Sequence, residues 1–199
     1  MNLNFLLAII GTISCLIYLG IYVLLHLLPN KYNPVNNAVS DYGIGKTKRI
    51  FDFYLIFSFI AIAIVWIEIM NNNLPLWVSA AFILMLSGRT LVFIFPTNLK
   101  GQKINAITAL HYVGATFSFA GAYICMTNLF FVGLTNFKFV QEILNIINFA
   151  AKPALVLLGA SLLIKPFRKI FGLSERIYLT LFGIWLLIIN ILLAYSFLH

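Results

Sequence analysis

Six stretches of about twenty or more mostly apolar residues follow one another along this chain, at positions 5–28, 51–70, 76–95, 104–131, 140–164 and 176–198. An α-helix rises about 1.5 Å per residue and the hydrocarbon layer of a bilayer is about 30 Å thick, so each stretch is long enough for one crossing. Lipid offers no partner to backbone N–H and C=O groups, which leaves helices and closed barrels as the spanning structures. The runs are too long, and too free of polar–apolar alternation, to be barrel strands. The expected fold is therefore all-α: a polytopic membrane bundle of about six transmembrane helices, forming a single domain over residues 1–199. Pro29, Pro75, Pro96 and Pro166 stand at the ends of runs, where proline stops a helix at little cost.

Composition agrees, because 62% of the 199 residues are hydrophobic and only 9% are charged, against about 25% charged in soluble domains. The formal charge of +8 would suit a nucleic-acid binder if the cations were clustered for phosphates. Here they lie between apolar runs, and no nucleic-acid partner is expected. Lys31, Lys46, Lys48, Arg49, Lys100, Lys103, Lys165, Arg168, Lys169 and Arg176 fall on one side of an alternating topology and only Lys138 on the other. The positive-inside rule then places the basic loops in the cytoplasm and both termini outside the cell membrane. The first run lacks a preceding basic residue and a small-residue cleavage pattern, so it reads as a retained helix rather than a signal peptide. Trp66, Trp77, Trp185 and Tyr195 fall in the outer half, where aromatic side chains anchor at the interface. Cys15 and Cys125 each lie inside an apolar run and read as small hydrophobes.

The loop after the first run reads Asn33-Pro34-Val35-Asn36-Asn37-Ala38-Val39-Ser40-Asp41-Tyr42-Gly43. Further on come Phe95-Pro96-Thr97-Asn98, then His111, and before the last run Gly172-Leu173-Ser174-Glu175-Arg176. In this order the motifs resemble the DUF998 family, uncharacterised integral membrane proteins of bacteria and archaea, over about residues 26–194. The resemblance implies a membrane fold and marks positions without naming a reaction. Where that family usually carries an acidic residue after Phe-Pro-Thr, this chain has Asn98.

Two groups of polar residues interrupt the apolar runs. In the first, Arg89 lies roughly 10 Å inside the end of its helix and His111 enters at comparable depth. Asp41 and Asp52 are the expected counter-ions, and Ser40 sits on a loop able to cover them. A charge at the bilayer centre costs about 2.5 to 3.5 kcal/mol on insertion scales unless it is paired or snorkels. The bland reading has Arg89 snorkelling to lipid phosphates, Asp41 turning the loop and His111 on a backbone carbonyl. The functional reading is a pocket for an anionic or lipid head group, with Arg89 as charge partner and His111 as donor or proton relay. In the second group Gln141, Asn145, Asn148 and Lys152 share one helical stripe. Glu68 is the expected partner of Lys152, and Pro153 is expected to disturb the helix beside it. That stripe either glues helices together or lines an outward-facing cavity. His111, Ala115, Ser118, Ala122 and Cys125 form a mostly small face, which directs His111 into the bundle.

The leading expectation is binding or transport of a small anionic or lipid-like ligand, with membrane lipids as partners and a homo-oligomer left open. Its candidate ligand-binding residues are Ser40, Asp41, Asp52, Glu68, Arg89, His111, Asn148 and Lys152. The enzyme alternative uses Ser40, Asp41 and His111 as a hydrolase-like triad. Nothing in the sequence resembles a nucleophile elbow, and catalytic zinc needs about three protein ligands. Only His26 and His111 are available for that, since His199 ends the chain on the other side. A second alternative, a haem between His26 and His111 or a purely structural role, rests on two histidines at matched depth. No metal or cofactor is expected from any motif.

Overall fold

The computed structural model describes residues 3–28, 32–70, 75–98, 105–129 and 137–197. Pro29, Lys31, Lys100, Lys103 and His199 lie outside them. Six helices long and apolar enough to cross a bilayer account for most of the described chain. These are α1 (Leu3–Leu27), α2 (Lys48–Met70), α3 (Leu76–Ile94), α4 (Ala106–Asn128), α5 (Lys138–Leu163) and α6 (Phe171–Ser196). Three 3₁₀ segments, Val39–Gly43, Gly45–Thr47 and Lys165–Ile170, sit at the basic end of the bundle. Among the described residues there are no strands.

Local chemistry sets the ends. Pro75 caps α3, and the Asn105 side chain accepts the Thr108 backbone N–H at 2.8 Å to start α4, satisfying a donor that the first turn leaves open. Pro153 lies inside an unbroken α5. α6 begins at Phe171, five residues earlier than the apolar run predicts. A helix whose first turns carry Ser174, Glu175 and Arg176 does not show in a hydropathy window, because those polar groups point into the protein. Arg176 is thus 8% exposed, a buried helical residue and not the loop cation expected from the charge count.

α3 packs most closely on α4, α1 on α2, and α6 lies against α1, α2 and α5. The α3–α4 contact is built on glycine. A Cβ on Gly114 would stand 2.9 Å from the Gly88 carbonyl oxygen, one on Gly121 the same distance from the Met85 nitrogen, and one on Gly88 would run into the Gly114 and Ser118 backbone. Small residues are the means by which membrane helices approach closely, because burial from lipid supplies little hydrophobic drive. The expected small face of α4 is the one buried here, with His111, Ser118, Ala122 and Cys125 all inside. α6 is the most buried of the six spans, and Tyr178, Phe182, Trp185 and Ile189 form its core stripe. Trp185 is 1% exposed, so it is core and not the interfacial anchor expected, whereas Trp77 and Tyr195 are exposed.

A Gly88→Leu variant should therefore separate α3 from α4 and cost about 1–3 kcal/mol or more, as overpacking does. Gly159→Ala, where a Cβ meets nothing within 4 Å, should be neutral or slightly stabilising. Thermal unfolding of the two variants in detergent compares them directly.

Candidate functional site

The loop motif organises itself first. Asn33 Oδ1 accepts the Val35 N–H at 2.9 Å, and Asn37 Oδ1 accepts the Asn33 N–H at 3.0 Å. Asp41 Oδ2 accepts the Ala38 N–H at 3.1 Å and the Asn37 side-chain amide at 2.9 Å. Asn and Asp are suited to this because their short side chains imitate a backbone turn.

The same loop is then clamped to the start of α6. Arg176 donates from Nη1 to the carbonyls of Pro34 (2.8 Å), Asn37 (2.6 Å) and Gly172 (2.9 Å), and from Nε to His26 Nε2 at 2.7 Å. Its guanidinium also lies over the Tyr42 ring, 5.8 Å from the centroid. Glu175 Oε2 accepts the Val39 N–H at 2.6 Å, and the Leu173 N–H donates to the Val35 carbonyl at 3.0 Å. Gly172 permits the approach, since a Cβ there would meet the Pro34 and Asn37 carbonyls. The first and last motifs of the chain are thus one physical unit.

His26 is consumed by this clamp. A carbonyl can only accept, so the 2.7 Å contact from Nδ1 to the Tyr22 carbonyl puts the proton on Nδ1 and leaves Nε2 as the acceptor for Arg176. Both ring nitrogens are engaged, which leaves no lone pair to give a haem iron or a metal. Among the described residues no group of three or more His, Cys, Asp or Glu side chains is placed to hold a metal ion.

Beneath the clamp lies a cavity of about 30 Å³ bordered by Ser40, Tyr54, Arg89, His111, Ser118 and Glu175. Arg89 lies five residues before the end of α3 and His111 five residues after the start of α4, so both enter at about 8 Å from a helix end. Arg89 does not snorkel. It is 6% exposed, and its guanidinium carbon stands 5.9 Å from the Tyr54 ring centroid and 5.8 Å from that of Phe182. Its Nε and the Tyr54 hydroxyl make no hydrogen bond of full geometry among the described residues, while the phenol groups of Tyr18 and Tyr54 stand close enough to the guanidinium to stabilise its charge. His111 Nδ1 lies 2.8 Å from the Phe95 carbonyl, so it too carries its proton on Nδ1. The Phe-Pro-Thr motif is thereby tied to the fourth helix.

Of the expected site residues, Ser40, Arg89 and His111 come together here. Asp52 does not pair with Arg89; it forms the ion pair with Lys48 at 2.8 Å, one turn away on the surface. Asp41 is likewise not a counter-ion for Arg89, since its described hydrogen bonds all hold the loop. With Asp41 so placed and His111 on Phe95, the carboxylate–imidazole link of the expected triad is not formed. Lys152, Gln141 and Asn145 are exposed on the surface of the bundle and Asn148 is partly so, while Glu68 is buried at 2%. The Glu68–Lys152 pair is therefore not made, and none of these lies with Arg89. Glu175, Tyr54 and the clamp through Arg176 were not expected. The signal that was available is the spacing Glu175-Arg176 on one turn, opposite a loop rich in turn-forming Asn and Asp.

These features describe a helical bundle of the multi-pass membrane type, with a small, mostly apolar cavity beside the clamped loop that Arg89, His111 and Glu175 border. The chain belongs to the family described as protein of unknown function (DUF998), whose sequence profile matches residues 12–191. No curated protein and no solved structure gives a significant match.

The clamp predicts that Arg176→Ala, which removes one guanidinium from three buried carbonyls and a histidine, costs about 3 kcal/mol or more. Arg176→Lys should recover little of it, because a point ammonium cannot reproduce the planar fork. Limited proteolysis within residues 33–47 of the purified protein is the measurement, with faster cleavage expected for both variants.

Proposed function

We propose that this protein binds, and passes into or across the membrane, a small anionic group, free or borne on a lipid. The group is held in the cavity by Arg89, with Ser40, Tyr54 and His111 around it. The observation that carries this reading is Arg89 itself. A cation at this depth costs up to about 2.5 to 3.5 kcal/mol. Two aromatic faces return about 0.5 to 2 kcal/mol each. A buried donor without a partner then costs about 1–3 kcal/mol more, so the sum favours an anion as the missing partner. No carboxylate among the described residues lies within 4 Å of Arg89.

Glu175 also borders the cavity, yet its carboxylate is committed to the Val39 N–H and stands next to Arg176. It feels the charges of both Arg176 and Arg89, but makes no ion pair with Arg89 within 4 Å among the described residues, so the guanidinium keeps room for a ligand. His111, with its proton on Nδ1 facing Phe95, presents Nε2 as an acceptor when neutral and as a donor when protonated. That pair of states suits a ligand taken up with a proton. The excess of Lys and Arg at this end supports a cytoplasmic position for it, with both termini outside.

Arg89→Gln should abolish binding of a small carboxylate or phosphate probe to the purified protein while the protein stays folded, and Ser40→Ala should weaken it less. Isothermal titration alongside thermal unfolding separates the two effects. Binding unchanged in Arg89→Gln would remove the site. For orientation, a single cysteine at Lys46 should react with an impermeant maleimide in inverted vesicles and stay unlabelled in intact cells. Cys15 and Cys125 are buried and contribute little background.

A further inference from the structure

We infer that the anion at Arg89 is the head of a single-chain lipid, a long-chain carboxylate, whose chain leaves the bundle sideways between α2 and α3. The inference rests on the anion reading above and adds the ligand class and its route of entry.

A groove of about 150 Å³ runs between these helices, walled by Leu55, Ile56, Phe59 and Ile60 from α2 and by Thr90 and Phe93 from α3, with Arg89 at its inner end. Among the described residues Thr90 is the sole polar side chain of the wall besides Arg89, and its hydroxyl donates to the Leu86 carbonyl at 2.9 Å, which leaves an apolar surface. Ile56, Phe59 and Phe93 are exposed on the flank of spanning helices, so the groove opens towards acyl chains and not towards water. Leu55 and Arg89 border both the groove and the inner cavity. One guanidinium therefore stands where an apolar channel from the bilayer meets a small chamber bordered by Ser40, Tyr54, His111, Ser118 and Glu175. That arrangement fits an amphiphile with its charge inside and its tail in lipid.

The two volumes select the class of amphiphile. The inner chamber, about 30 Å³, takes one or two groups the size of water, hence the two oxygens of a carboxylate, whereas a phosphodiester with its glycerol needs several times that space. The groove is as large as a cavity known to hold a benzene ring, so it takes a segment of roughly six carbons of one chain. Planar carboxylate and planar guanidinium match as a two-bond fork, in which the unpartnered Nε is one tine.

The test uses the full chain in phosphatidylcholine nanodiscs with a palmitate bearing a diazirine on its chain and a free carboxyl. Irradiation should label residues 55–60 or 90–93. Excess palmitate should reduce the label roughly tenfold, and palmitate methyl ester should not. Ile60→Trp, or Thr90→Ile from the opposite wall should the first not fold, fills the groove and should remove the label. Both groove variants should still shift the resonance of ¹³C-labelled formate, whose carboxylate needs the chamber alone. Arg89→Gln should lose both signals. Equal competition by the methyl ester would overturn the inference, since the groove would then merely be solvated by lipid. Formate and palmitate binding that persist equally in the groove variants would overturn it too, while leaving the anion site standing. If Arg89→Gln bound both probes like the unaltered chain, the anion reading and this inference would fall together.

Discussion

The guanidinium of Arg176 is the joint on which the basic end of this protein depends. Its Nε and Nη1 donate to an imidazole nitrogen, to two loop carbonyls and to the Gly172 carbonyl of its own helix, and the loop carbonyls are groups that lipid would leave bare. The cost of burying a charge is met by giving nearly every N–H a partner. The loop it holds would otherwise expose a row of unpaired backbone groups at the rim of the bundle. Because the loop is held, Ser40 is fixed at the edge of the cavity and Val39 can use Glu175.

Arg89 shows the opposite balance. It lies as deep along its helix as Arg176 does along α6, yet it rests between two aromatic rings with Nε unpaired. One arginine is held by backbone carbonyls of the fold, and the other only by aromatic side chains, with no carboxylate or carbonyl partner among the described residues. That contrast within one protein is the physical basis for reading the first as structure and the second as a site. The tight α3–α4 contact serves the same end, because the glycine seam brings His111 beside Phe95 and fixes the tautomer through its carbonyl.

Much was legible from the chain alone. The six spans follow from the length of the apolar runs. The small face of α4 follows from its 3.6-residue period, and the inward direction of His111 follows from that face. The partners did not follow. Asp52 has Lys48 four residues before it on its own helix, so a local pair pre-empts a distant one. Asp41 was offered Ala38 and Asn37 within its own loop. The stripe on α5 has the spacing of a buried seam, but which side of a helix meets its neighbours is set by how the bundle closes, and Lys152 came out facing away.

What the sequence by itself determined is the number of helices long and apolar enough to cross a bilayer and most of their ends, because hydrophobic length and proline act locally and need no knowledge of neighbours; the start of α6 escaped it because its first polar residues turn inward. It also determined that Arg89 and His111 enter at equal depth, since depth along a helix is only a count of residues. The tertiary structure alone decided who meets whom. Residues 33–43 and 172–176 are separated by more than a hundred positions, and only the return of α6 beside α1 lets one arginine bind both. Pairing across that span depends on the closing geometry of the whole bundle, which no window of sequence contains.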